Sequence, residues 1–96
     1  MTRSAAIQRA YAYFDAESGY WADLARRVSM PTECQIPERL SVLYHYLEDE
    51  MRPFFEQINY TCKIYNNPIE GMGPILLATR IEDESLPTLL GYGHGD

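Results

Sequence analysis

The sequence predicts an α/β fold in which N-terminal helices pack on a small mixed or antiparallel β-sheet, and three observations carry that expectation. Apolar residues recur at helical spacing as far as Ile58. The pattern then switches to β-branched and aromatic residues after Asn59. Finally, clusters of Gly, Pro, Asn and acidic residues cut the C-terminal part into short apolar runs.

The elements follow in order. Ile7, Tyr11 and Phe14 lie on one helical face, with Ser4 available as an N-cap. Ser18-Gly19 weakens that pattern, and it resumes at Trp21, Leu24, Ala25 and Val28 before Pro31 ends it. Residues 30–36 are expected as a loop. Pro37 and Glu38 suit the first turn of the next helix. Leu40, Leu43, Tyr44, Leu47, Met51, Phe54, Phe55 and Ile58 form its apolar stripe. Pro53 interrupts this stripe and removes a bond to the carbonyl of Asp49, which predicts a kink or restart near Met51. Strands are expected over residues 60–65, with Tyr60, Cys62 and Ile64 on one side, and over residues 75–81. The segment Thr88 to Tyr92, apolar on both faces, is expected as a third and central strand.

A chain of 96 residues and 11.1 kDa fits one small domain with a thin core. Hydrophobic residues at 46% and charged residues at 23% describe a globular chain and exclude a disordered one. The longest run without a charged side chain, Leu86 to Gly95, is too short and too rich in Gly and Pro to span a membrane. Arg9 and Asp15 interrupt the N-terminal stretch, so no signal peptide is expected. The net charge of −6, with one lysine and seven scattered arginines, argues against nucleic acid and anionic lipid as partners. Cys34 and Cys62 have no CxxC and no adjacent His, and are expected as reduced structural thiols of a cytoplasmic protein.

The chemistry concentrates in the terminal Gly93-His94-Gly95-Asp96. An imidazole at the end of a strand can bind Zn²⁺ through one nitrogen while a carboxylate orients the other. The flanking glycines permit close backbone approach. Alone, His-x-Asp is read more simply as a polar tail behind a core strand. The order of helix, Pro-led helix, strand, turn, strand and acidic turn, followed by Pro-Thr-Leu-Leu-Gly-Tyr-Gly-His-Gly-Asp, changes that weighting. From about Tyr20 to Asp96, including Asp23-Leu-Ala-Arg-Arg-Val-Ser-Met-Pro-Thr-Glu, the chain resembles the N-terminal segment of one enzyme family. This is the di-zinc metallopeptidase and amidohydrolase family of aminoacylases, carnosinases, glutamate carboxypeptidases and succinyl-diaminopimelate desuccinylase.

The resemblance implies that residues 1–96 are the N-terminal part of a metallohydrolase catalytic domain, without the lid and dimerisation domain. It implies His94 as a ligand to one of two zinc ions and Asp96 as the carboxylate that holds its imidazole. The implied substrate is a small amide or peptide, cleaved by a zinc-activated water. A catalytic zinc needs about three protein ligands plus water, so the chain alone is expected to bind zinc weakly or not at all and to be inactive. The alternative is a non-catalytic α/β fragment that self-associates through an exposed strand edge.

Other residues have plainer readings. His45 shares a polar helix face with Ser41, Glu48 and Arg52 and is expected at the surface. The acidic triplets Glu48-Asp49-Glu50 and Glu82-Asp83-Glu84 read as solvated. The eight tyrosines and Trp21 are expected mainly as packing residues, or as an exposed self-association patch if a missing remainder of the protein would cover them; Thr32-Glu33, near the catalytic end, are expected as loop-capping residues, with lining of a substrate site as the alternative.

Overall fold

A computed structural model describes residues 1–15, 17 and 19–96. The chain divides into two compact units, Met1–Met30 and Pro31–Asp96.

The first unit is a helical hairpin. Helix α1 spans Arg3–Asp15 and α2 spans Tyr20–Val28. The cap of α1 is not Ser4, which lies inside the helix. The hydroxyl of Thr2 instead accepts the Ala5 amide at 3.1 Å, satisfying one of the free donors of the first turn. Of the expected break, Ser18 lies outside the described residues. Gly19 takes φ 94°, a left-handed conformation that suits glycine, and opens α2. Asp23 in the first turn of α2 and Arg26 and Arg27 in the last complement the helix dipole. The rings of Phe14, Tyr20 and Trp21 pack at centroid distances of 5.0–5.3 Å. The Trp21 indole donates to the Phe14 carbonyl at 3.0 Å, filling an acceptor that the end of α1 leaves open. These aromatics are only part-covered, and Trp21 is exposed.

The second unit carries the sheet. A 3₁₀ turn at Pro37–Arg39 leads into α3, Leu40–His45. A π-helical turn at Tyr46–Met51 follows, then α4, Arg52–Gln57, with Pro53 in its first turn. The structure therefore accommodates Pro53 by restarting the helix where its missing amide costs least. Helix α4 ends in a Schellman motif, in which the Tyr60 amide reaches the Phe55 carbonyl at 3.0 Å and the Asn59 amide reaches that of Glu56 at 3.1 Å. Asn59 supplies the required positive φ of 67°. The Phe55 and Tyr60 rings meet at 5.3 Å, the hydrophobic contact that accompanies this cap.

Strand β1, Thr61–Tyr65, pairs antiparallel with β2, Ile75–Thr79, with Cys62 opposite Ala78 and Ile64 opposite Leu76. These four residues are half-buried and their neighbours exposed, so the period-2 pattern is kept, and α4 packs against both strands. The arrangement is a small α/β one with a two-stranded antiparallel sheet.

The expectation of a third strand at Thr88–Tyr92 is corrected. That segment joins no ladder, and Leu89, Leu90 and Tyr92 are 95%, 92% and 89% exposed. Residues apolar on both faces make a strand only when something covers both faces, and nothing among the described residues does. β2 is also shorter than residues 75–81, because Arg80 turns away to donate to the Ile58 carbonyl at 3.2 Å. No apolar side chain among the described residues is fully buried. No helix among them is long and apolar enough to cross a membrane.

Candidate functional site

The terminal segment is docked against the loop that precedes α3. Thr32 is the one residue among those described that is buried, and its hydroxyl donates to the Gly95 carbonyl at 2.8 Å. The closeness of this approach explains Gly95. A Cβ there would lie 2.7 Å from Cε1 of Tyr46, whereas one on Gly93 would meet nothing within 4 Å. The glycine lets the backbone run against the tyrosine ring.

Asp96 joins two partners. Its Oδ2 accepts the Cys34 thiol at 2.6 Å, with the Cys34 amide at 3.5 Å, and its Oδ1 pairs with Nδ1 of His94. The thiol bond from Cys34 is the main cause holding the Asp96 carboxyl below its ordinary range, and partial desolvation opposes it. The same bond pushes the Cys34 thiol up, aided by desolvation and the carboxylate's charge. Cys34 is therefore a protonated donor here, not an activated nucleophile. A neutral His94 whose Nδ1 faces a carboxylate carries its proton on Nδ1, which leaves the Nε2 lone pair available. Tyr92 packs edge-on to the imidazole, with ring centroids 6.4 Å apart. The His94 side chain is 59% exposed.

A cleft of about 510 Å³ opens beside this cluster, lined by Leu43, Tyr46, Met51 and Phe55 from the helical segment and by Met72 and Ile75 from the sheet side. Its walls are mostly apolar, and its polar side chains include Thr32, Cys34, Asn67, His94 and Asp96.

The structure thus brings the two residues singled out in the sequence, His94 and Asp96, into direct contact. It adds Cys34, which sequence reasoning did not place at the site, and gives Thr32, expected near it, a specific role. Cys34 reads as an ordinary structural thiol, and only its three-dimensional contact with Asp96 shows otherwise. Thr32 reads as a loop cap, and it is a capping residue, but for the terminal segment. His45 lies on the surface as expected, paired with Asp49 at 2.8 Å. The acidic triplets hold local partners, with Glu48 bridging to Arg52 at 3.2 Å and Asp83 accepting the Ser85 hydroxyl at 2.7 Å. Both cysteines are free.

The donor set fits one position of a zinc site, an imidazole oriented by a carboxylate. Among the described residues no group of three or more His, Cys, Asp or Glu side chains is arranged to hold a metal. Comparison of the chain with family models, with curated proteins and with solved structures gives no match.

Proposed function

We propose that residues 1–96 form the N-terminal, metal-facing part of a metal-dependent hydrolase of peptide or amide bonds. In this reading His94 is one zinc ligand through Nε2, and Asp96 is the residue that positions its ring. The observation that supports it is the contact of Nδ1 with Asp96 Oδ1, which aims the Nε2 lone pair outward. The resemblance of the sequence from Tyr20 to Asp96 to the di-zinc amidohydrolases supplies the reaction class. In a complete site of that kind zinc would activate a water for attack on the substrate carbonyl.

The residues of this chain do a narrower job. Asp96 fixes the imidazole tautomer, Cys34 and Thr32 hold Asp96 and Gly95 in place, and Gly95 permits the close approach. The further ligands, a bridging carboxylate, a general base, the rest of the catalytic domain and a lid domain would come from outside these residues. Zinc binding by this chain is then weak, and hydrolysis by it alone absent. The free thiols support a reducing, cytoplasmic setting.

The test is a zinc titration followed by NMR at the His94 ring, with His94→Ala and Asp96→Asn as comparisons. Zinc should shift Nε2 of His94 first and most, and Asp96→Asn should weaken that response about 10-fold or more. A zinc response confined to His45, or one unchanged in Asp96→Asn, overturns the assignment.

A further inference from the structure

The cleft beside His94 has a chemistry of its own. Leu43, Leu47, Met51 and Phe55 form its helical wall, and Ile75 and Leu76 of β2 stand on the sheet side. Residues spaced by four drift about 40° per step around an α-helix. The wider π-helical turn at Tyr46–Met51 takes up that drift, so all four stay on one wall. They are half-buried, and the cleft volume of about 510 Å³ lies within the range of about 300–1,000 Å³ usual for small-molecule sites.

Charge narrows the occupant. Among the described residues no Lys or Arg lines the cleft, and its one carboxylate, Asp96, is engaged by the Cys34 thiol and the His94 ring. An anionic group entering would lose its water beside a carboxylate, with no cation to meet it. A cationic group would compete for oxygens that already have partners. Between the apolar walls nothing offsets either charge, so an uncharged ligand is the one that fits.

Asn67 supplies the polar complement. It stands in the loop between β1 and β2, where its Nδ2 donates to the Gly73 carbonyl at 3.2 Å and its Oδ1 accepts the Ile69 amide at 2.9 Å. These two bonds fix the carboxamide. They use one donor and one acceptor, which leaves one of each for a ligand in the cleft that Asn67 lines. A donor and an acceptor side by side are the complement of another amide.

We infer that this cleft binds a neutral amide carrying an apolar side chain, with the amide on Asn67 and the side chain between the helical and β2 walls, and so selects apolar over charged substrates. That this amide is a substrate rests on the proposed function; that it binds rests on the cleft alone.

The four methionines give a direct test, because Met51 and Met72 line the cleft while Met1 and Met30 belong to the other unit. The chain, ¹³C-labelled at the methionine methyls, is titrated without metal with N-acetyl-phenylalaninamide and with its glutamate and lysine counterparts. The neutral probe should shift the Met51 and Met72 methyls saturably and leave those of Met1 and Met30 in place. The charged probes should bind at least about tenfold more weakly. Met72 is 53% exposed, so Met72→Glu should keep its circular dichroism. Followed at Met51, this variant should bind the neutral probe less tightly and the lysine probe more tightly than the wild type does. Asn67→Asp keeps the acceptor for the Ile69 amide and loses the donors, and should also weaken the neutral probe. Unshifted cleft methyls, equal shifts at Met1 and Met30, equal affinity for the three probes, or unchanged binding in both variants overturns the inference. Zinc added to the same samples separates it from the proposed function. A His94 response to zinc without saturable shifts at Met51 and Met72 removes this inference alone. Saturable shifts without a His94 response remove the proposed function, and with it the standing of the bound amide as a substrate.

Discussion

Thr32→Val isolates the bond that docks the terminal segment. Valine keeps the shape of the side chain and removes its single donor, the hydroxyl held 2.8 Å from the Gly95 carbonyl. A neutral hydrogen bond of this kind contributes about 0.5–1.5 kcal/mol net. Gly95 is itself exposed, so water can satisfy its carbonyl once the hydroxyl is gone, and the lower half of that range applies. A loss of about 0.5–1 kcal/mol raises the undocked population about two- to fivefold. Cys34 reports that population directly. While docked, its thiol donates to Asp96 and its pKa is raised, so little thiolate forms; on undocking the pKa falls back and the thiol reacts faster. The assay is alkylation by iodoacetamide at mildly alkaline pH, with the Cys34 and Cys62 peptides resolved by mass spectrometry. Cys34 should be modified several-fold faster in Thr32→Val, and Cys62 at an unchanged rate. Gly95→Ala, which forces a Cβ against Tyr46, should have the same effect, and Gly93→Ala should have none. Wild-type Cys34 rates in both Thr32→Val and Gly95→Ala would refute the docked arrangement.

Three further outcomes are expected. Asn59→Ala should destabilise the second unit by about 1 kcal/mol, because alanine is strained at φ 67°, while Asn59→Gly should not; thermal midpoints should differ by about 4–8 °C. The Asp83 carboxyl is held below its ordinary range by the Ser85 hydroxyl and amide. A carboxyl with a lowered folded-state pKa contributes stability above its unfolded pKa, and loses it as pH falls through the folded value; NMR titration should place Asp83 below a free aspartate, and Ser85→Ala should move it back up. Finally, Asp96→Asn should bring the Cys34 thiol down toward its ordinary range, seen as an earlier rise of thiolate absorbance at 240 nm with increasing pH.

The helical part of this chain is legible in its sequence because helix signals are local. The stripe from Leu40 to Phe55 gives the face, and Pro53 gives the restart. Asn59, marked in the sequence only by the change of period, turns out to provide the left-handed cap. Strand β1 follows from the alternation at Tyr60, Cys62 and Ile64, and β2 from the apolar run between the Gly-Pro loop and the acidic turn. The segment at Thr88–Tyr92 is read wrongly for a physical reason. Composition reports that a strand could be covered on both faces, while a ladder also needs a neighbour, which no local pattern encodes. The N-cap differs by two residues because Thr2 and Ser4 are equally competent and only the backbone chooses between them. At the site, His94 and Asp96 are visible as a spacing of two residues. Cys34 lies 62 residues from Asp96, and nothing at either position announces the contact.

The measurement that bears most directly on the His94 assignment is the tautomer of its ring. Long-range ¹H–¹⁵N correlation at about pH 8, above the usual imidazole range, reads it without any metal present. The pairing with Asp96 predicts a proton on Nδ1 and a bare Nε2, lost in Asp96→Asn. An Nε2–H ring in the wild-type chain would contradict the account, because the lone pair proposed to meet zinc would then face the carboxylate.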